Sequence, residues 1–135
     1  MKFPKAIANL HFSPMVPQGY MEGIRSGVDL LKSGDYARAE KLFYDLSYKW
    51  GGRCAGNYLF VLHLAEALLL QGKLDDAEMV YRDLVETSKV ESRANYGLAL
   101  VLRKTNREAE SKRHLEIAKI MGSNIEIPEY LPSLE

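Results

Sequence analysis

The chain has one cysteine, Cys54, so no internal disulfide framework can hold it together, which favours a reducing compartment. It has no surplus of charge: 18 Lys and Arg balance 18 Asp and Glu. No dense basic run offers the electrostatic stripe that a nucleic-acid binder or a protein docked on an acidic membrane usually carries. Long apolar runs are missing too. The longest, Leu64 to Leu70, is interrupted by Glu66 and is far too short to span a bilayer. At the N-terminus, Pro4, Lys5, Asn9 and His11 break up anything resembling the apolar core of a signal peptide. These absences predict a soluble, cytoplasmic protein that neither inserts into membranes nor binds nucleic acid. What is present is 135 residues, 47% of them hydrophobic, enough for one domain with a real core.

The apolar residues are organised by an internal repeat, the feature that decides a fold if it is noticed first. Three segments align: Tyr20 to Leu46, Tyr58 to Leu84 and Ser92 to Ala118. Gly34, Gly72 and Asn106 then share one column, and glycine or asparagine there suits a helix end that turns with positive φ. Gly27, Ala65 and Ala99 form a second column of small residues, and Ala39, Ala77 and Ser111 a third; both allow two helices to approach closely. Phe43, Tyr81 and Leu115 form a bulky column suited to filling the space between one unit and the next. Leu30, Leu68 and Leu102, and likewise Leu46, Leu84 and Ala118, complete the apolar faces. The last two units are 34 residues apart and the first two 38 apart, so the first carries a four-residue insertion. Six helices are predicted, near 20–33, 36–50, 57–71, 74–89, 92–105 and 107–121, because apolar residues recur at helical spacing. The first should be the weakest, since Gly23 and Gly27 each cost about 1 kcal/mol relative to alanine inside a helix. The glycine-rich loop 51–56 lacks the ending of a phosphate-binding loop and is a connector.

A 34-residue period with small residues facing each other across a turn, and the runs Gly34-Asp35-Tyr36-Ala37-Arg38-Ala39 and Gly72-Lys73-Leu74-Asp75-Asp76-Ala77, resemble the tetratricopeptide-repeat (TPR) family over residues 20 to about 122. The family's early tryptophan is replaced by Gly23 and Val61, and its proline between repeats by Gly51 and Lys89. The resemblance implies an all-α fold of three tandem helix-turn-helix repeats in a short right-handed superhelix. It divides the chain into an N-terminal arm (1–19), a repeat domain (20–122) and a C-terminal tail (123–135).

Both ends contain prolines, Pro4, Pro14 and Pro17 in the arm and Pro128 and Pro132 in the tail, which argues against continuous helices there. The arm nevertheless carries Phe3, Ile7, Leu10 and Phe12, more than a solvated tail needs. It is expected to pack on its own domain, on a second copy as a homodimer contact, or on a partner. The tail carries Ile125, Ile127, Tyr130, Leu131 and Leu134. It is expected either to cover the apolar face that the last repeat exposes, in extended form, or to stay disordered beyond Ile127.

Catalytic and metal-binding patterns are missing, so no enzyme activity and no cofactor are expected. His11, His63 and His114 sit in separate units without ligand spacing, and His114, in a charged stretch, is expected to face solvent. His63 either lines the groove or is a polar residue at the edge of a packed helix. Pairs such as Lys41 with Asp45 read as solubilising ion pairs worth about 0.2–0.5 kcal/mol each.

What remains is a surface. The resemblance implies a concave groove lined by the leading helix of each repeat. By register it would contain Ile24, Val28 and Leu31 from the first unit, Leu62, His63, Glu66 and Leu69 from the second, and Arg93, Tyr96, Leu100 and Arg103 from the third. Each aliphatic residue is either a groove residue or simple core. The carboxylate clamp of TPR co-chaperones is broken, because Ile24, Val28, His63, Arg93 and Gly97 stand in the matching places and only Arg93 fits. The expected function is a protein-interaction module, an adaptor or chaperone that takes an apolar or amphipathic segment of a protein partner. In size, repeat number and groove character the chain is similar to bacterial type III secretion chaperones that hold translocator proteins. The alternative is a scaffold subunit that uses its convex face or its N-terminal arm.

Overall fold

The structure, a computed structural model, describes residues 3, 19–50, 57–87, 91–122 and 126–134. Six helices account for most of these residues: α1 (Tyr20–Lys32), α2 (Tyr36–Trp50), α3 (Asn57–Leu70), α4 (Leu74–Thr87), α5 (Glu91–Lys104) and α6 (Glu108–Met121). There is no strand among the described residues. The arm, apart from Phe3 and Gly19, and the connector 51–56 lie outside them.

The three helical hairpins close with the same turn. Gly34, Gly72 and Asn106 take φ of 84°, 78° and 61°. At each turn the next residue's N–H reaches back to the carbonyl five residues before it: Asp35 to Leu30 (2.9 Å), Lys73 to Leu68 (3.0 Å) and Arg107 to Leu102 (2.8 Å). These Schellman turns satisfy carbonyls that the helix end would leave orphaned, and the left-handed residue at their centre is why glycine, or asparagine as second choice, recurs there.

Contacts across the first and third hairpins show the reversal of direction. In the first, Gly23 meets Leu46 and Gly27 meets Phe43, so positions rise on one helix as they fall on the other. The third behaves alike: the Ser111 hydroxyl donates to the Ala99 carbonyl (2.7 Å), and His114 Nδ1 lies 2.8 Å from Asn95 Oδ1. Small residues are what make the approach feasible. A Cβ at Gly27 would stand only 2.1 Å from the Phe43 ring. Glycine in α1 is therefore a packing requirement as well as a cost in helix propensity.

Each helix packs on the next along the chain, and α3 also touches α1 and α5. This central position explains the composition of α3. Every residue from Phe60 to Leu69 is buried, so the helix is apolar nearly all round. By contrast α2 and α4 bury one stripe each, led by Ala39 and Phe43 in one and by Ala77, Val80, Tyr81 and Leu84 in the other.

Charged clasps join successive hairpins. Glu40 on α2 accepts hydrogen bonds from Lys73 Nζ (2.8 Å) and Gln71 Nε2 (2.7 Å). One repeat later Glu78 on α4 takes the same place and is held by both terminal nitrogens of Arg107. Arg82 extends this second clasp to Glu78 (2.9 Å) and Glu110 (2.8 Å). His114 is drawn into the same region, largely buried beside Asn95 and 3.8 Å from Glu110, rather than facing solvent as its charged neighbourhood suggests.

Candidate functional site

A buried ion pair lies where α3 and α5 meet. Glu66 is completely enclosed and receives two hydrogen bonds from the Arg93 guanidinium, from Nε to Oε2 (2.8 Å) and from Nη2 to Oε1 (3.0 Å). An enclosed carboxylate needs such charge-assisted bonds, because desolvation is offset only when its lone pairs are filled. A third bond comes from outside the helices. The Tyr130 hydroxyl donates to Glu66 Oε1 (2.7 Å) and accepts from Arg93 Nη2 (2.9 Å). Burial and the neighbouring Glu66 carboxylate push the Tyr130 phenol far above its ordinary value, so it stays a hydroxyl that can donate.

Tyr130 belongs to the C-terminal segment 126–134, which lies across α3 and α5. The segment is non-helical apart from a tight turn in which the Leu131 N–H bonds to the Pro128 carbonyl (3.1 Å). Tyr96 on α5 holds its backbone at two points: the hydroxyl donates to the Pro132 carbonyl (3.2 Å) and accepts from the Leu134 N–H (3.1 Å). Arg103 reaches the Leu134 carbonyl (3.4 Å). Leu131 is buried, and Ile127, Tyr130 and Leu134 pack at the edge of the core. The tail thus lies on the face presented by the leading helices.

Beside the tail, toward α1, an open cleft of about 500 Å³ remains, lined by Val28, Lys32, His63 and Arg93 on the helices and by Glu126 to Tyr130 on the segment. His63 is anchored from behind. Its Nδ1 is 2.6 Å from the Leu59 carbonyl and its ring stacks on Phe43 at 5.0 Å between centroids. Burial lowers its pKa, so the ring is neutral, with Nδ1 as donor and Nε2 left as the acceptor.

Of the residues assigned to the groove by register, Val28, His63, Glu66, Arg93, Tyr96 and Arg103 meet around the tail and this cleft. Ile24 is half-buried against the core. Leu31, Leu62, Leu69 and Leu100 are buried members of the hydrophobic core itself. As one of two alternatives, sequence reasoning expected the tail, Tyr130 included, to cover the last repeat's exposed face, but it did not place Tyr130 or the tail backbone among the groove residues of α3 and α5. The one available hint was the cluster of apolar residues around Pro128 and Pro132. Among the described residues no group of three His, Cys, Asp or Glu side chains gathers as metal ligands would, and no helix is long and apolar enough to cross a membrane. No protein-family model, curated protein or solved structure matches the chain.

Proposed function

We propose that this protein is an interaction module whose leading helices α1, α3 and α5 form a groove for an extended segment of a protein partner. The observation that carries this reading is the segment already lying there, residues 126–134, held through its backbone by Tyr96 and Arg103 and through one side chain by the Glu66–Arg93 pair. Side chains that bond to a ligand's backbone recognise extended peptide as such, and pockets for particular side chains add selectivity. The three like turns, the facing small residues and the clasps between hairpins support a TPR-like arrangement of the repeats. They also keep open the narrower likeness to secretion chaperones that shelter an apolar segment.

The test uses peptides selected from a displayed random library against the immobilised protein. Val28→Glu and Tyr96→Ala should each weaken the selected peptides by about tenfold or more, as hot-spot truncations do. Helical content and melting temperature are to be measured on the same preparations. Folded variants that bind the peptides as tightly as the parent would eliminate the groove as the binding surface.

A further inference from the structure

We infer that residues 126–134 are a built-in occupant of the groove, and that the partner which displaces them is an extended segment carrying a tyrosine followed by an aliphatic residue. This inference rests on the groove reading above and specifies its ligand. Three observations converge on it.

The first is the way the segment is held. The hydrogen bonds of Tyr96 and Arg103 go to its backbone, at Pro132 and Leu134, so they can be made to any extended chain. The second is the side-chain anchor. The Glu66–Arg93 pair offers an acceptor and a donor side by side, and the Tyr130 hydroxyl, which is both donor and acceptor, satisfies the two at once. A phenylalanine would leave both without that partner, and a carboxylate would confront Glu66. Leu131, the next residue, is buried, while Glu129, Pro132 and Ser133 remain exposed. Selectivity thus concentrates in the tyrosine–aliphatic pair. The third is charge and incomplete filling. The segment contains Glu126 and Glu129 and no basic residue, whereas the helices facing it present Lys32 and Arg103 in addition to the mutually paired Arg93 and Glu66. The tail covers the α3–α5 side and leaves the α1 side as the open cleft, so an incoming segment has a foothold before the tail leaves.

A tethered occupant lowers a competitor's apparent affinity in proportion to the fraction of molecules whose groove is free. The probe is a labelled nonapeptide of the tail's own sequence, Glu-Ile-Pro-Glu-Tyr-Leu-Pro-Ser-Leu, titrated by fluorescence anisotropy into the 135-residue chain and into its Tyr130→Ala, Leu131→Ser variant. If the tail is the occupant, the variant binds the peptide about tenfold tighter or more, and a probe with phenylalanine in place of tyrosine loses most of that gain. Should the double variant fold poorly by circular dichroism, Tyr130→Phe, which removes only the hydroxyl, should still tighten peptide binding severalfold. Equal binding by parent and folded variants, or none by either, would overturn the inference. So would a concentration-dependent dimer of the parent that the variant fails to form, since the segment would then belong in the groove of a second copy. If the library-selected peptides nevertheless remain sensitive to Val28→Glu and Tyr96→Ala, only the tail's role has failed and the groove reading stands.

Discussion

The two junctions between hairpins, α2 to α3 and α4 to α5, follow one plan with different parts. At the first, Phe43 fills the interface and stacks on His63. At the second, Tyr81 stands in the same column, and Gly97 replaces the histidine. A Cβ on Gly97 would lie 2.2 Å from the tyrosine ring and 2.6 Å from its hydroxyl. The tyrosine ring lies where the opposite helix carries no side chain at all, so it occupies space that a Cβ on Gly97 would need. The ionic clasps follow the same logic. Glu40 and Glu78 occupy equivalent places, as do the cations Lys73 and Arg107 one residue after the left-handed turns. In the third repeat the acid's place is taken by Lys112, and in the first the cation's place by Asp35, so each clasp belongs to an internal junction. Spacing in the repeat fixes where an interface falls; the side chain facing it decides what may fill it.

The largest effects that could break this comparison lie at the second junction. Tyr81 is fully buried, and Tyr81→Ala should cost about 3–5 kcal/mol. Gly97→Ala should cost about 1–3 kcal/mol, because the new methyl must displace a ring it cannot pass. The two should not add. Once the ring is gone, Gly97→Ala has room, and its cost in the Tyr81→Ala background should nearly vanish. A double-mutant cycle by urea unfolding measures this coupling. Simple additivity would mean that ring and glycine do not share one space.

Much of this scaffold can be read from the residues, because its determinants are local and repeated. Gly34, Gly72 and Asn106 are separated by the repeat itself, and each acts through the turn it sits in. The helix limits agree with the apolar spacing to within a residue or two. The site was less legible. Leu31, Leu62, Leu69 and Leu100 share a helical register with groove positions, and only packing places them in the core. Tyr130 pairs with Glu66 across 64 positions in sequence, and no local pattern announces such a pairing. His114 misled because a charged neighbourhood in sequence says nothing about Asn95 on the facing helix.

A smaller effect concerns pH, and here each junction has a histidine nearby. Burial lowers the pKa of both His63 and His114. Below the ordinary histidine value of about 6.5, the unfolded chain takes up protons that these folded side chains refuse. The unfolded state then binds more protons, so stability falls as pH drops below that value. Further down, the carboxylates of Glu78, held low chiefly by its hydrogen bond from Arg107, and of Glu110, held low chiefly by Arg82, add losses of the same sign as pH passes below the usual carboxylate range. The melting temperature should therefore decline monotonically from about pH 7.5 to about pH 5. His63→Gln should flatten the upper part of that decline more than His114→Gln, because His63 is the more deeply enclosed. Equal profiles in all three chains would remove histidine burial as the cause.

The smallest effect, and the one of opposite sign, comes from a single oxygen. Among the described residues the Tyr81 hydroxyl is the buried side-chain polar atom with no hydrogen-bond partner. Burial raises its pKa well above the ordinary phenol value, so it is an uncharged group deprived of water. An unsatisfied buried hydroxyl carries a desolvation cost of about 1–3 kcal/mol with no bond to offset it. Removing the oxygen also removes packing volume, which returns part of that gain as a small cavity facing Gly97. Tyr81→Phe should thus stabilise the fold by about 1 kcal/mol or less, the net of roughly opposed terms. It would also make the second junction match the first, where phenylalanine already occupies the column. Urea unfolding of parent and variant decides the matter. A clear loss of stability would show that the hydroxyl is satisfied in solution, and that the glycine opposite it serves the oxygen as well as the ring.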